Sequence, residues 1–177
     1  MITGKMVGLR AMEREDLTLL RDWRNITSFR RNFREHRELN MANQNAWFDR
    51  TVASPNDYFF IIQRMEDNLP IGAGGLLYVS WIIRSADFSF YIGLDNLYID
   101  SHGLAKEAVN LLLDYGFKNL NLNKVWMELY EFDTKKIDFF TKEFGFKVDG
   151  KLRKNCFEDG VYHDSFIISI LKEEYLK

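Results

Sequence analysis

Few residues in this sequence break a chain. Only two prolines, Pro55 and Pro70, occur among 177 residues, and neither sits in a low-complexity run, so no linker divides the chain. The single cysteine, Cys156, excludes an internal disulfide and leaves no second thiolate for a metal site. No stretch approaches the apolar length of a membrane span, and Met1-Ile2-Thr3-Gly4-Lys5 lacks the apolar run of a leader; a cytoplasmic protein with no membrane partner is expected. Neither sign of charge dominates: 24 Lys+Arg stand against 26 Asp+Glu, a net charge of −2, so no global field gathers nucleic acid. His36, His102 and His163 lie far apart, without metal-ligand spacing, and no metal is expected. With no Gly-x-Ser-x-Gly motif, and with Cys156 in an expected strand, a nucleophilic hydrolase is excluded.

What is present suits one folded domain over residues 1–177, since 46% of residues are hydrophobic and 15% aromatic, enough for a sizeable core, and no repeat is found. Met6 to Arg10 reads as a short strand, and Glu13 to Asn25 as a helix with Leu17, Leu20 and Trp23 at helical spacing. Asn40 to Val52 follows as a helix with Ala46, Trp47 and Phe48 inward. Tyr58 to Ile62, Ile71 to Tyr78 and Ala86 to Ile92 read as strands, with a turn at Asp67 to Pro70. The strongest helix is Leu104 to Leu120, with Ala108, Leu111, Leu112, Tyr115 and Leu120 along one face. Lys124 to Tyr130 alternates as a strand, Lys135 to Phe144 is helical, and Gly145 supplies a left-handed stop. Phe146 to Cys156 and Val161 to Leu171 flank Glu158-Asp159-Gly160, a hairpin turn. That order predicts an α+β fold, a mixed sheet with helices on its faces.

Three clusters are candidates for chemistry. In Asp100-Ser101-His102-Gly103-Leu104-Ala105, small residues precede the strongest helix, and the N–H groups of its first turn would point at an anion. The same spacing also suits plain chain geometry. Ile71-Gly72-Ala73-Gly74-Gly75-Leu76 fails as a dinucleotide fingerprint, because no helix opens after it; it reads as a strand whose missing side chains admit a neighbour. Arg21, Arg24, Arg30, Arg31, Arg34 and Arg37 fall in one span opposed there only by Asp22 and Glu35. They read either as a solvated face or as an anion site, since guanidinium forks suit phosphate and carboxylate.

Taken in order, these pieces resemble the GCN5-related N-acetyltransferase (GNAT) superfamily, and within it the RimJ/RimL-like branch. The resemblance is carried by Gly4-Lys5-x-Val7-x-Leu9-Arg10, Glu15-Asp16-Leu17, Trp23-Arg24-Asn25, Tyr91-Ile92-Gly93, His102-Gly103-Leu104-Ala105-Lys106, the unit Asp133 to Phe146, and Gly160-x-Tyr162-x-Asp164. It implies a mostly antiparallel twisted sheet with a splayed central pair of strands. It also implies acetyl-CoA as co-substrate, held by Tyr91, Ile92, Gly93, His102, Gly103, Leu104, Ala105, Lys106 and Asp133. The sequence departs from the family pattern in four places. Asp100 stands where Gln or Arg is usual, Leu94 to Ser101 is longer, Asp133 replaces an Asn, and Phe140 or Thr141 falls where a general-acid Tyr is common.

The implied reaction is direct attack of a primary amine on the thioester, which needs a proton acceptor but no enzyme nucleophile. Asp87 and Glu128 are the candidate bases, Tyr91 and Tyr130 the candidate proton donors, and backbone N–H groups near Tyr91 to Gly93 the carbonyl-polarising donors. Arg30, Arg31 and Arg34 suggest an anionic small-molecule acceptor such as a nucleotide-linked amino sugar, with no nucleic-acid partner, in a monomer or homodimer. Two alternatives stay open: a protein N-terminal acetyltransferase, and a non-catalytic binding protein of the same fold.

Overall fold

The computed structural model describes residues 1–100 and 102–177. Eight strands form one sheet: β1 Ile2–Thr3, β2 Val7–Ala11, β3 Tyr58–Arg64, β4 Pro70–Ser80, β5 Ser85–Ile92, β6 Lys124–Tyr130, β7 Lys147–Glu158 and β8 Val161–Leu171. Their order is β1-β2-β3-β4-β5-β6-β8-β7. Neighbours are antiparallel except β5 and β6, which are parallel. The β7–β8 turn is tight because Asp159 and Gly160 take positive φ, 52° and 80°, matching the strand twist.

The helices are α1 Leu17–Asn25, α2 Thr27–Arg30, α3 Met41–Ala53, α4 Leu104–Asp114, α5 Thr134–Asp138 and α6 Lys172–Tyr175. None of them is long and apolar enough to cross a membrane. Side chains alternate across a strand, so Phe59 and Tyr91 present one face of the sheet while Phe88 and Phe90 present the other. On the first face Trp47 of α3 meets Phe59 edge-on and Trp23 of α1 meets Tyr91 edge-on. On the second, Leu112 of α4 lies over Gly74, and Phe140 packs against both Phe88 and Phe90.

Two helices differ from the periodic expectation for the same reason. Both α4 and α5 run into a π-helical turn, Tyr115–Asn119 and Phe139–Glu143. Ahead of the wider turn, α4 buries Ala105, Ala108, Val109, Leu112 and Leu113 and leaves Leu111 half-buried; beyond it, the reset face leaves Leu120 half-buried. In α3, Ala46 is exposed although Phe48 is buried. Gly145 does end its helix in the left-handed conformation, at φ 72°.

The glycine run of β4 behaves as its composition predicts. A Cβ on Gly72 would lie 2.4 Å from the Tyr91 carbonyl oxygen, and one on Gly75 would lie 2.3 Å from that of Tyr58, so neighbouring strands press on its backbone from both sides. On the other side of β5, pairing to β6 covers only Ser85↔Lys124, Ala86↔Val125 and Asp87↔Trp126. Beyond Asp87 the two strands part. The central sheet is therefore splayed, with β5 continuing to Ile92 beside a gap. Past that end, a Cβ on Gly93 would fall 2.1 Å from the Trp23 ring. Gly93→Ala is accordingly expected to destabilise the fold by about 2 kcal/mol or more, read by urea denaturation; unchanged stability would mean that Trp23 can leave the strand end freely.

Candidate functional site

The gap opens into a cavity of about 510 Å³. Its wall takes Asp87, Ser89 and Tyr91 from one face of β5 together with Phe88 and Phe90 from the other, so it passes through the sheet where the ladder ends. Asp87 and Glu128 sit on the two parted strands and face one another across it. Asp87 is buried, and desolvation pushes its carboxyl above the ordinary value against the opposing pull of Arg34. Glu128 is fixed by Ser165 Oγ and Asn155 Nδ2, which donate to Oε1 at 2.7 and 2.6 Å. Arg34 bridges the two carboxylates: Nη1 donates to Asp87 Oδ2 at 2.7 Å and Nε to Glu128 Oε2 at 3.3 Å.

Of the three arginines expected at an acceptor site, only Arg34 reaches the cavity. Arg30 lies 3.5 Å from Glu38. Arg31 stacks on Phe132 and pairs with Glu158 and Asp159 at the β7–β8 tip, tying α2 to the hairpin. Arg21 is bound to Asp22, and Arg37 holds Glu35, whose carboxyl drops to about 2. The arginine span is thus largely neutralised by carboxylates, several of them distant in sequence. Arg24 is the exception. Its guanidinium stacks 3.9 Å from the Phe33 centroid, and its buried Nε has no hydrogen-bond partner among the described residues.

The phenols separate. Tyr91 lines the cavity, fully buried among Trp23, Phe29 and Phe33, and burial raises its pKa to about 12. Tyr130 packs on Phe132 away from the lining. Phe140 is buried in an aromatic cluster, and Thr141 Oγ1 donates to the Ile137 carbonyl, so neither stands in for a phenol. The expected carbonyl-polarising donors are also redistributed, because the Ile92 N–H donates to Tyr98 O and the Gly93 N–H to Ile71 O, both at 2.9 Å. Alternation along β5 then turns the Phe90 N–H toward the gap.

Behind this wall the long segment after β5 folds back, with Tyr98 pairing Ile92 and its hydroxyl donating to Asp133 Oδ2 at 2.6 Å. Asp133 also caps α5, accepting from the Lys136 N–H. Lys136 is buried on the cavity wall, its Nζ 4.6 Å from the Tyr98 ring centroid, and desolvation lowers its pKa to about 8. Lys136 on the cavity wall and Tyr98 behind it are the residues that sequence reasoning missed, while Arg24 was visible only as one member of the arginine span. A Lys in the first turn of a helix, followed by aromatic residues, was the available signal for one of them.

At the start of α4, the expected anion cradle exists. Asp100 Oδ2 accepts from the His102 and Leu104 N–H groups at 2.7 and 3.2 Å, and Oδ1 from the Ala105 N–H at 2.5 Å. Gly103, at φ 96°, makes the turn that aims these donors. The donors therefore fit a pyrophosphate, and the Asp100 carboxylate stands in its place. The Lys106 side chain points outward to Glu143, and His102 is exposed, so neither side chain adds to the cradle of backbone donors.

Comparison with known proteins decides the family. The acetyltransferase (GNAT) domain model matches residues 7–147. The chain belongs to that family. As a GNAT member it is an acetyl-CoA-dependent N-acetyltransferase, in keeping with the splayed sheet. It is 28% identical over 176 residues to the spermidine N(1)-acetyltransferase of Escherichia coli K12, covering 99% of this chain and 91% of that one. The spermidine N(1)-acetyltransferase of Vibrio cholerae is 27% identical over 168 residues, covering 95% and 94%. Among solved structures, the Vibrio cholerae spermidine N-acetyltransferase in complex with CoA and spermine superposes with a TM-score of 0.87 at 26% identity, over 97% of this chain and 99% of that one.

A CoA pyrophosphate placed at the start of α4 would compete with Asp100 for the N–H groups that this carboxylate holds. Asp100→Ala is expected to tighten CoA binding by about tenfold in calorimetry while costing roughly 1 kcal/mol of stability through loss of the α4 cap. Weaker CoA binding in the variant would show that the carboxylate assists the cradle instead.

Proposed function

We propose that this acetyltransferase modifies a primary amine of a polyamine-class cation, seated as its ammonium form between Asp87 and Glu128. The observation that carries the reading is Arg34: two carboxylates on parted strands already hold a cation inside the cavity. An alkylammonium offers the same charge and donors. The relatives named for spermidine support this acceptor over a nucleotide-linked amino sugar or a ribosomal-protein N-terminus. An anion site on Arg30 and Arg31 has little support, since both are held by carboxylates outside the cavity. The non-catalytic alternative rests on Asp100 and on the absent Tyr at Phe140 or Thr141; against it, backbone donors are present beneath the Asp100 side chain and Tyr91 offers a phenol on the cavity wall.

Acetyl-CoA, when bound, supplies the thioester carbonyl from which the acetyl group passes. In this chain the incoming ammonium displaces Arg34 and gives its proton to Asp87. That carboxyl is primed for the task, because burial already raises its proton affinity and losing Arg34 raises it further. Glu128, anchored by Ser165 and Asn155, keeps the amine in place. The Phe90 N–H faces the gap where a carbonyl oxygen would collect charge. Tyr91, still a protonated phenol at neutral pH, is the proton donor for the departing sulfur.

Assembly beyond the expected monomer or homodimer is part of the same reading. A Vibrio cholerae relative, 25% identical with a TM-score of 0.81, is a dodecamer, and Ile82 and Ile83 expose apolar surface at the β4–β5 turn, 95% and 66% accessible.

Thiol release from acetyl-CoA in the presence of spermidine tests the proposal. Asp87→Asn is expected to lose at least about 100-fold in kcat/KM. Because the base acts deprotonated and its pKa is raised, the wild-type rate should climb through a limb above the ordinary carboxylate range. Arg34→Ala should lower KM for spermidine. No thiol release with spermidine, spermine or putrescine would sink the polyamine reading.

A further inference from the structure

The cavity holds a second pair of charges that the amine seat does not use. Arg24 reaches it from α1 and Lys136 from α5, and both cations lie against the same Phe33 ring, at 3.9 and 5.8 Å from its centroid. Neither is matched by an anion. The Arg24 Nε is buried without a partner, and no carboxylate lies within ion-pair distance of either group among the described residues. The charges that do face them are committed elsewhere. Asp133 is held by the Tyr98 hydroxyl and a backbone N–H, Asp87 by Arg34, and Glu35 by Arg37, while Tyr91 and Tyr98 are neutral phenols.

Two partly desolvated cations side by side cost stability, and the cost shows in the downward shifts of both, each caused first by burial. A structural role would have given them a carboxylate, as it did for the neighbouring arginines. Cations left unmatched on the wall of a reaction cavity are a receptor for an anionic ligand group. Size and geometry favour a carboxylate, which the guanidinium fork can take bidentately while the ammonium supplies a third donor.

We propose that Arg24 and Lys136 form a carboxylate seat inside the acyl-transfer cavity, so that one of the two reactants carries a carboxylate in addition to its reacting group. The placement favours the acyl donor. Lys136 stands one turn beyond Asp133, and Arg24 lies beside Tyr91 and Tyr98, where the strand end and α5 flank the gap. A donor such as a succinyl thioester would set its far carboxylate there. The transfer itself is unchanged: Asp87 passes the first proton of the ammonium to solvent, the neutral amine nitrogen bonds to the thioester carbon, the second amine proton passes to Asp87, the carbon–sulfur bond breaks, and the sulfur leaves as thiol with the proton of Tyr91, which solvent replaces as Asp87 releases its own. The remote carboxylate is a spectator that positions the chain. The proposal rests on the cavity being the acyl-transfer site and extends it from acetyl groups to carboxylated reactants.

Two measurements test it. Thermal denaturation in succinate against sodium chloride of equal ionic strength reads the seat without turnover. A rise of at least about 2 °C is expected for the wild type, and it should vanish in Lys136→Met and in Arg24→Gln. Matched kinetic pairs then read which reactant carries the group: succinyl-CoA against acetyl-CoA with spermidine, and ornithine against putrescine with acetyl-CoA. At least a tenfold preference in kcat/KM for the carboxylated member of one pair is expected, falling toward unity in both variants. Preference in the first pair assigns the carboxylate to the donor; preference in the second assigns it to the amine. No succinate shift and no preference in either pair, or a shift and preference that survive both substitutions, overturns the seat. If spermidine is acetylated without any such effect, the seat alone fails. If succinate stabilises the wild type but no amine is acylated, the seat stands and the polyamine reading fails.

Discussion

The parting of β5 from β6 after Asp87↔Trp126 is the constraint on which the other features depend. Two parallel strands held together at one end and apart at the other create a wedge that neither face of the sheet could make alone. Side chains from both faces of β5 then line one cavity, and two carboxylates from adjacent strands stand opposite each other without sharing a ladder. The aromatic cluster of Phe139, Phe140, Phe144 and Phe146 packs behind the wedge and props it open. The π-helical turn that begins at Phe139 carries the first two of these rings, and Phe144 follows directly after it. Close packing of that kind has no low-energy way to collapse inward.

Charge in this molecule is arranged by distance in space and poorly by distance in sequence. The arginine span between α1 and α3 looks strongly basic when read linearly. In the fold it is stitched to Asp87, Glu128, Glu158 and Asp159, which lie on three other strands or at their turn. The stitching fixes the α2 segment over the cavity mouth and fixes the hairpin tip to α2. One cation left out of this pairing, Arg24, and one buried amine, Lys136, therefore stand out against a background of satisfied charge.

Much of the architecture was legible from period and punctuation. β6 was bounded residue for residue, the hairpin turn was visible as Asp159-Gly160, and the glycine run of β4 correctly signalled a close neighbour in place of a nucleotide loop. The two carboxylates were legible as well, because each sits on a strand beside the expected splay. What was not legible depended on contacts between segments. Nothing local says that Arg30 and Arg31 are consumed by Glu38 and the hairpin, or that Tyr130 turns away from the gap while Tyr98 binds Asp133 behind its wall. The π-helical turns were missed because one inserted residue shifts a helical face without altering composition. Asp100 was visible as a departure from the usual Gln or Arg; that its carboxylate accepts from three N–H groups at the start of α4, as an anion would, was not.

Arg34 has a consequence for water. A cavity that brings a deprotonated carboxylate close to a thioester carbonyl is also equipped to hydrolyse it, since a water molecule can surrender its proton as an amine does. While the guanidinium grips Asp87 Oδ2 and Glu128 Oε2, those two oxygens are occupied and the charge of both carboxylates is offset. In the proposed mechanism, only a guest cationic enough to dislodge the arginine uncovers the base, and that guest is then itself the nucleophile at hand. The resting pairing is in effect a safeguard on the activated acyl group, released by the arrival of an acceptor.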